Sequence, residues 1–122
     1  MKFSEDNPDD GYFIQKYESN KIIINNRGFT SSLIICPDQV VENWQPRSIK
    51  ALELIHFESL LQLKPEVALL GTGSKLIFPS VEVYSNLIQQ GIGVEIMDTG
   101  AACRTYNILM GEGRRVVAGL IL

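Results

Sequence analysis

The sequence has little from which a metal centre or a disulfide framework could be built. It contains two cysteines, Cys36 and Cys103, and one histidine, His56. A structural zinc ion takes about four Cys or His ligands at short, regular spacings, which these residues do not provide. We therefore predict no metal site and no cofactor. Both thiols are expected to be reduced, as is usual in the cytosol.

Positive charge and long apolar runs are also scarce. The chain has 11 Lys and Arg against 14 Asp and Glu, a net charge of −3, whereas nucleic-acid binding requires a basic face. The longest apolar stretch, VVAGLIL at 116–122, is far shorter than the roughly 20 residues that cross a bilayer. The start, MKFSEDNPDD, lacks the apolar segment of a signal peptide. These features predict a cytoplasmic protein with no nucleic-acid partner and no integral membrane segment.

The bulk composition is that of an ordinary globular protein. The 122 residues are 45% hydrophobic and 20% charged, and a chain of this length usually forms one domain. Residues 1–10 are polar and contain Pro8, so we expect a flexible tail there. The prediction is a single α/β domain over residues 11–122.

The first half of the domain has the pattern of β-structure. Apolar and β-branched runs at 12–17, 21–25 and 29–36 are separated by segments rich in Asn and Gly, which favour tight turns. This pattern predicts an antiparallel meander. Pro37 and Asp38 are expected to close it, before a loop that contains Trp44.

The second half alternates between strand and helix patterns. The predicted order is helix 56–63, strand 67–70, a helix opened by Pro79-Ser80, strand 94–97, helix 98–110 and strand 114–122. Such alternation is typical of βαβ crossovers and a parallel core. Together the two halves predict a three-layer α/β domain, in which a mixed sheet, the meander plus the parallel core, is flanked by helices.

Several segments resemble a known family of small α/β proteins. They are GTG at 71–73, Pro79, GIGVEIMDTGAACRTYNIL at 91–109, INNRGFTSSLIICP at 24–37, and the loop around Trp44. The family includes an adipogenesis-associated protein and an assembly factor of mitochondrial NADH:ubiquinone oxidoreductase (complex I). The resemblance implies a mixed central sheet flanked by helices, with no established enzymatic activity and no catalytic residues. A role in complex I assembly would reach this chain by analogy only.

Two loops form the candidate ligand or partner site. In open α/β sheets, ligands bind beyond the carboxyl ends of the strands, and two such ends lead into 71–75 and 98–104. If the strands are neighbours, these loops form a cleft suited to a small anion or metabolite. Its candidate residues are Gly71, Thr72, Gly73, Lys75, Asp98, Thr99 and Arg104. A structural reading is also open, in which the glycines permit a tight strand exit and Asp98 or Thr99 caps a helix.

Three other side chains have alternative readings. Cys103 is either a nucleophile near a helix N-terminus or, as helical spacing favours, a small hydrophobe facing the sheet. His56 is expected to cap the first helix or to lie on the surface. Trp44 either folds back onto the sheet or anchors a partner.

Two functions of different class remain open. The first is a non-catalytic binding or assembly protein that uses the polar side of helix 98–110, where Arg104, Asn107 and Ile108 lie. Coverage of the same face by the protein's own chain is the alternative reading. The second is a small-molecule or anion binder, or an enzyme, in the cleft. A protein partner is expected under the first function, and a homodimer through an edge strand of the meander is compatible with either.

Overall fold

The computed structural model describes residues 11–18 and 20–122. The tail predicted for residues 1–10 lies outside this range. In the described part, eight strands and three α-helices follow in this order: β1 (Ile14–Glu18), β2 (Lys21–Ile24), β3 (Arg27–Phe29), β4 (Leu33–Cys36), β5 (Gln39–Val41), α1 (Leu54–Leu61), β6 (Val67–Gly71), α2 (Ser85–Gln89), β7 (Gly93–Met97), α3 (Thr99–Gly111) and β8 (Val116–Leu120). Short 3-10 turns at Ile49–Ala51 and Val81–Tyr84 precede α1 and α2.

The antiparallel meander is present, but it forms a small sheet of its own. Its three strands pair in the order β1-β2-β3. Asn25 and Asn26, which both have positive φ, make the tight turn between β2 and β3. The predicted strand 29–36 is wrong as one element, since the chain leaves the small sheet after Phe29 and enters the second sheet at Leu33.

The second sheet is mixed and has the strand order β5-β4-β8-β6-β7. β6 pairs in parallel with both β7 and β8, while β4 pairs antiparallel with β8 and β5. The predicted parallel βαβ core is therefore confirmed. β7 is partly exposed, because it is an edge strand with β6 as its one partner in this sheet.

The two faces of the five-stranded sheet build two separate apolar clusters. Alternating side chains of the central strands, such as Leu69 and Ala118, face α3 and the small sheet. Their neighbours, such as Leu70 and Val117, face α1, α2 and Trp44. This alternation follows from the two-residue period of a strand and produces the predicted three layers.

Two helices differ from their predicted bounds. α1 begins at Leu54 rather than His56, because the backbone N–H of Glu53 donates to His56 Nδ1 at 3.0 Å and the first turn is thereby capped. It ends at Leu61, before Lys64 takes a positive φ of 57°. The helix after Pro79 starts as a 3-10 turn, and α2 is confined to five residues. Gly91 follows α2 with a φ of +76°, the left-handed conformation in which glycine commonly ends a helix.

Candidate functional site

The loops after β6 and β7 lie against each other at the carboxyl ends of these strands. The Thr99 N–H donates to the Gly73 carbonyl at 2.9 Å, and the Gly73 N–H donates to the Thr99 hydroxyl at 2.8 Å. The same hydroxyl donates to the Ile121 carbonyl at 2.7 Å, and Thr99 is fully buried. Direct hydrogen bonds thus fill the space between Gly73 and Thr99, and the open surface lies to either side.

Asp98 and Gly71 have local structural reasons for their identity. The Asp98 Oδ1 accepts a hydrogen bond from the Ala101 N–H at 2.9 Å, so Asp98 is the N-cap of α3. A Cβ placed on Gly71 would lie 3.0 Å from the Thr99 Cα, closer than real Cβ contacts allow without a shift of the backbone. Asp98 thus caps the helix, as one reading of the sequence predicted, while ligand binding at Asp98 and Gly71 stays a prediction.

Thr72 shapes the loop that follows β6. Its buried hydroxyl donates to the Lys75 carbonyl and accepts from the Ile77 N–H at 3.3 Å. These bonds fold residues 72–77 over the end of the strand. The Lys75 side chain is left exposed at the surface.

A cavity of about 260 Å³ opens beside this loop. One wall consists of the Thr72–Ile77 loop, including Lys75, and another of Arg47 and Ser48. The remaining lining residues are Asn20, Ile49, Ile121 and Leu122. Two cationic side chains and several hydroxyls therefore line this cavity without any side-chain carboxylate.

Arg104 belongs to a different cavity, of about 190 Å³, between β1 and α3. The lining residues are Ile14, Gln15, Lys16, Tyr17, Gly100, Cys103, Arg104 and Asn107. The structure thus brings Thr72, Gly73 and Lys75 together with Arg47, and Arg104 together with Tyr17. Sequence reasoning named neither Arg47 nor Tyr17 as a site residue, because each reaches its cavity through contacts between segments far apart in the chain.

Both thiols lie in the protein core. Burial raises the pKa of Cys103 to about 12; Arg104 opposes this shift and Asp98 adds to it. Burial also raises the pKa of Cys36, to about 11, and the thiol lies 3.3 Å from an oxygen of Asp38. Because a thiolate is the reactive form, neither cysteine is prepared for nucleophilic attack. The reading of Cys103 as a core residue is confirmed.

Trp44 and His56 also have structural roles. The Trp44 ring is 6% exposed and covers Gly119, where an added Cβ would lie 2.6 Å from a ring carbon. Its indole N–H donates to the His56 carbonyl at 3.2 Å. Trp44 therefore folds back onto the sheet, while His56 caps α1.

The polar side of α3 is covered in part by the protein's own chain. Asn107 accepts from the Ile14 N–H at 2.8 Å and donates to the Ile14 carbonyl at 2.7 Å. The neighbouring Tyr106 hydroxyl donates to the Tyr12 carbonyl at 2.7 Å. Of the face predicted to meet a partner, Asn107 is thus occupied by β1, whereas Arg104 and Ile108 remain exposed.

Exposed apolar side chains are concentrated on the other side of the five-stranded sheet. Three elements that contact one another, α1, α2 and the 3-10 turn between β6 and α2, carry four of them. These residues, which we call the helical face, are Leu54, Ile55, Val81 and Ile88. Leu76, Ile77 and Phe78 are exposed on the preceding loop, and we call them the loop tip. Ile108 is the large apolar residue exposed on α3.

Within residues 11–18 and 20–122, no helix is long and apolar enough to cross a bilayer. The same residues contain no group of three or more His, Cys, Asp or Glu side chains placed to hold a metal ion.

A family described as a protein of unknown function (DUF498/DUF598) matches residues 14–121. The chain belongs to this family. The family membership predicted from the 71–73 and 91–109 segments is thereby confirmed.

Relatives and solved structures agree with this membership. The chain is 32% identical to the "13 kDa major membrane protein" of Francisella tularensis, over 85% of either chain. It is 31% identical to "NADH dehydrogenase [ubiquinone] 1 alpha subcomplex assembly factor 3" of Xenopus tropicalis, over 89% of this chain but 60% of that relative's length. A crystal structure of a Bordetella parapertussis protein superimposes with a TM-score of 0.86 at 36% identity, covering 91% of this chain and 95% of that one. The mixed α/β fold is therefore shared with this Bordetella protein.

Proposed function

We propose that this chain is a non-catalytic binding protein of the assembly type, which holds a protein partner on the helical face. The observation on which this proposal depends is the exposure of Leu54, Ile55, Val81 and Ile88 on one side of the sheet. Exposed apolar side chains grouped on neighbouring elements are typical of an interaction site, because their burial against a partner is favourable.

The chemistry of the reactive side chains supports binding rather than catalysis. The thiols of Cys36 and Cys103 are held protonated by burial. His56 uses its Nδ1 to cap α1. The two thiols and His56 are therefore committed to the fold rather than available as a nucleophile or base.

The names of the relatives suggest which partner to look for. One relative is named as an assembly factor for NADH dehydrogenase and another as a membrane protein. By analogy, the partner is a subunit of a membrane-bound oxidoreductase. This chain spans only 60% of the assembly factor's length, so the analogy covers the shared domain.

Site-specific photo-crosslinking in cells tests the proposal. A photoreactive phenylalanine analogue replaces Ile55 in one variant and Ile108, which is equally exposed but on α3, in the matched control. We expect a discrete crosslinked protein from position 55 and none from position 108. Its identification as a respiratory-chain subunit would support the assembly role.

A second pair of variants tests the same surface without a crosslinker. Ile55→Ser with Ile88→Ser should weaken recovery of the crosslinked partner by at least about tenfold, since each buried isoleucine contributes more than about 1.4 kcal/mol. Ile108→Ser should leave recovery unchanged. If Ile108→Ser reduced recovery of the partner and the double variant did not, the contact would lie on α3 and the proposed face would be wrong.

Ligand binding at the predicted loops remains the alternative. It predicts a small anion or metabolite that raises the melting temperature, with the shift lost in Lys75→Ala or Arg104→Ala. Because these residues line separate cavities, only one of the two variants should remove the shift.

A further inference from the structure

The cavity beside Lys75 and the loop tip form one continuous feature. Ile77 of the loop tip lines the cavity together with Arg47 and Lys75. Residues 73–80 contain no helix or strand, so the loop tip is a segment of irregular chain. A cationic cavity is thus directly followed in the chain by three exposed apolar side chains.

The apolar part of this feature is large for an irregular loop. Leu76, Ile77 and Phe78 are 51%, 49% and 69% exposed. The fold keeps them outward, because Thr72 fixes the loop through its bonds to Lys75 and Ile77. Consecutive exposed aliphatic and aromatic side chains lower their free energy by entering an apolar phase.

The charged part is free to bind an anion. Among residues 11–18 and 20–122, no side-chain carboxylate lies within 4 Å of the cationic atoms of Arg47 or Lys75, and the ion pairs involve other cations. The hydroxyls of Ser48 and Ser74 line the same cavity. Two unpaired cations with nearby hydroxyl donors are suited to a phosphate group.

We propose that this loop docks the protein on an anionic phospholipid surface, with a lipid phosphate bound between Arg47 and Lys75 and the loop tip inserted among the acyl chains. An apolar tip beside cations matches the two layers of a bilayer interface, where phosphates lie above hydrocarbon. The acidic residue nearest to the loop tip in sequence is Glu82. It follows Phe78, whereas Lys75 precedes the loop tip, so the two charges lie on opposite sides of the tip in the chain. This contact goes beyond the proposed function, which concerns a protein partner on the helical face.

Vesicle flotation with the purified chain tests the docking. We expect flotation with vesicles of phosphatidylcholine and phosphatidylglycerol, and none with phosphatidylcholine alone. Leu76→Ser with Phe78→Ser should abolish flotation. Lys75→Gln and Arg47→Gln should each weaken it about fivefold, since a cation near an anionic surface contributes about 1 kcal/mol. The matched controls, Ile108→Ser and Arg114→Gln, remove an exposed apolar residue and a cation elsewhere and should bind like the wild type.

Tryptophan fluorescence reports insertion independently of surface adhesion. In Phe78→Trp, anionic vesicles should shift the emission to the blue, while Ile108→Trp should show no shift. Trp44 is buried and gives a constant background in both variants.

Three results would overturn the proposal. The first is equal binding to neutral and anionic vesicles. The second is wild-type flotation of the Leu76→Ser and Phe78→Ser double variant. The third is binding of inorganic phosphate at Arg47 and Lys75, followed by nuclear magnetic resonance, with no vesicle binding, which would identify a free-phosphate site. Because the vesicles contain no protein, these outcomes are separate from failure of the crosslinking experiment.

Discussion

At the scale of single residues, Thr99 joins three segments through one hydroxyl. Its oxygen accepts from the Gly73 N–H at a partly buried position and donates to the Ile121 carbonyl, which is buried. In Thr99→Val the shape is retained but both backbone groups lose their partner, at about 1–3 kcal/mol each. Thr99→Ser keeps the hydroxyl and loses one methyl group, at about 1 kcal/mol.

We therefore expect Thr99→Val to destabilise the protein more than Thr99→Ser, by about 1 kcal/mol or more. Urea denaturation of the two variants beside the wild type measures the difference. Equal stability of the two variants would mean that water replaces the hydroxyl and that Thr99 is not the link between the loops.

Ionisation of Cys103 should lower the free energy of unfolding at alkaline pH. Its pKa rises from an ordinary value of about 9 to about 12 in the folded protein, chiefly through burial. The stability that comes from the protonated thiol is complete below pH 9 and is lost as the pH rises toward 12, because the unfolded chain releases its proton first. One such group changes the free energy of unfolding by at most about 1.4 kcal/mol per pH unit.

The test compares the wild type with Cys103→Ala in denaturant melts at pH 8 and at pH 10.5. The variant should lose less stability between these values, by roughly 1–2 kcal/mol. Cys36 and Tyr106 titrate in both proteins and cancel in the comparison. Parallel losses would show that the Cys103 thiol ionises as readily in the folded state as in the unfolded chain.

At the scale of elements, α3 holds the small sheet in place through a few polar contacts. Asn107 makes two hydrogen bonds to the backbone of Ile14, and together they contribute about 1–3 kcal/mol. In Asn107→Ala, we expect amide exchange in β1 and β2 to accelerate about ten- to hundredfold, while β6 and β8 keep their protection.

Hydrogen exchange followed by mass spectrometry resolves the two sheets. Ile108→Ser, one residue away on the exposed side of α3, is the control and should leave β1 unchanged. If all strands accelerated together in Asn107→Ala, the two sheets would unfold as one unit and the contact would not be local.

Strand and helix identities in the βαβ half follow from the sequence, whereas sheet membership in the first half does not. Val67–Gly71 is continuously apolar and stops at a glycine, which is sufficient to predict a central strand. Residues 29–36 were also predicted as one strand, although Phe29 and Leu33 pair in different sheets. The polar Thr30-Ser31-Ser32 was the available signal: the Ser32 carbonyl accepts from Trp44, so the break is fixed by a contact with a distant loop.

The candidate site was predictable only in part for the same reason. The neighbouring positions of the 71–75 and 98–104 loops follow from the parallel strands before them. Their mutual hydrogen bonds do not, because a threonine in a loop has many possible partners. Arg47 lines the same cavity as Lys75 only through the packing of the loop before α1, and the sequence gives no indication of that arrangement.

At the scale of the whole molecule, exposed apolar residues lie mainly on the side of the sheet occupied by α1 and α2, while the net charge is only −3. Such a small charge provides weak repulsion between copies, so the apolar side should drive concentration-dependent association of the isolated protein. The interaction should persist at high salt, since apolar burial is not screened as charges are.

We expect sedimentation velocity to show this association for the wild type. The double variant Ile55→Ser, Ile88→Ser should weaken the association by about tenfold or more, which corresponds to about 1.4 kcal/mol. Ile108→Ser serves as the control, because it removes an equally exposed side chain from the opposite layer. A dimer that survives the double variant would place the contact elsewhere, with an edge strand of the small sheet, β1 or β3, as the predicted location. The helical face would then be left open in the dimer and available to a different protein.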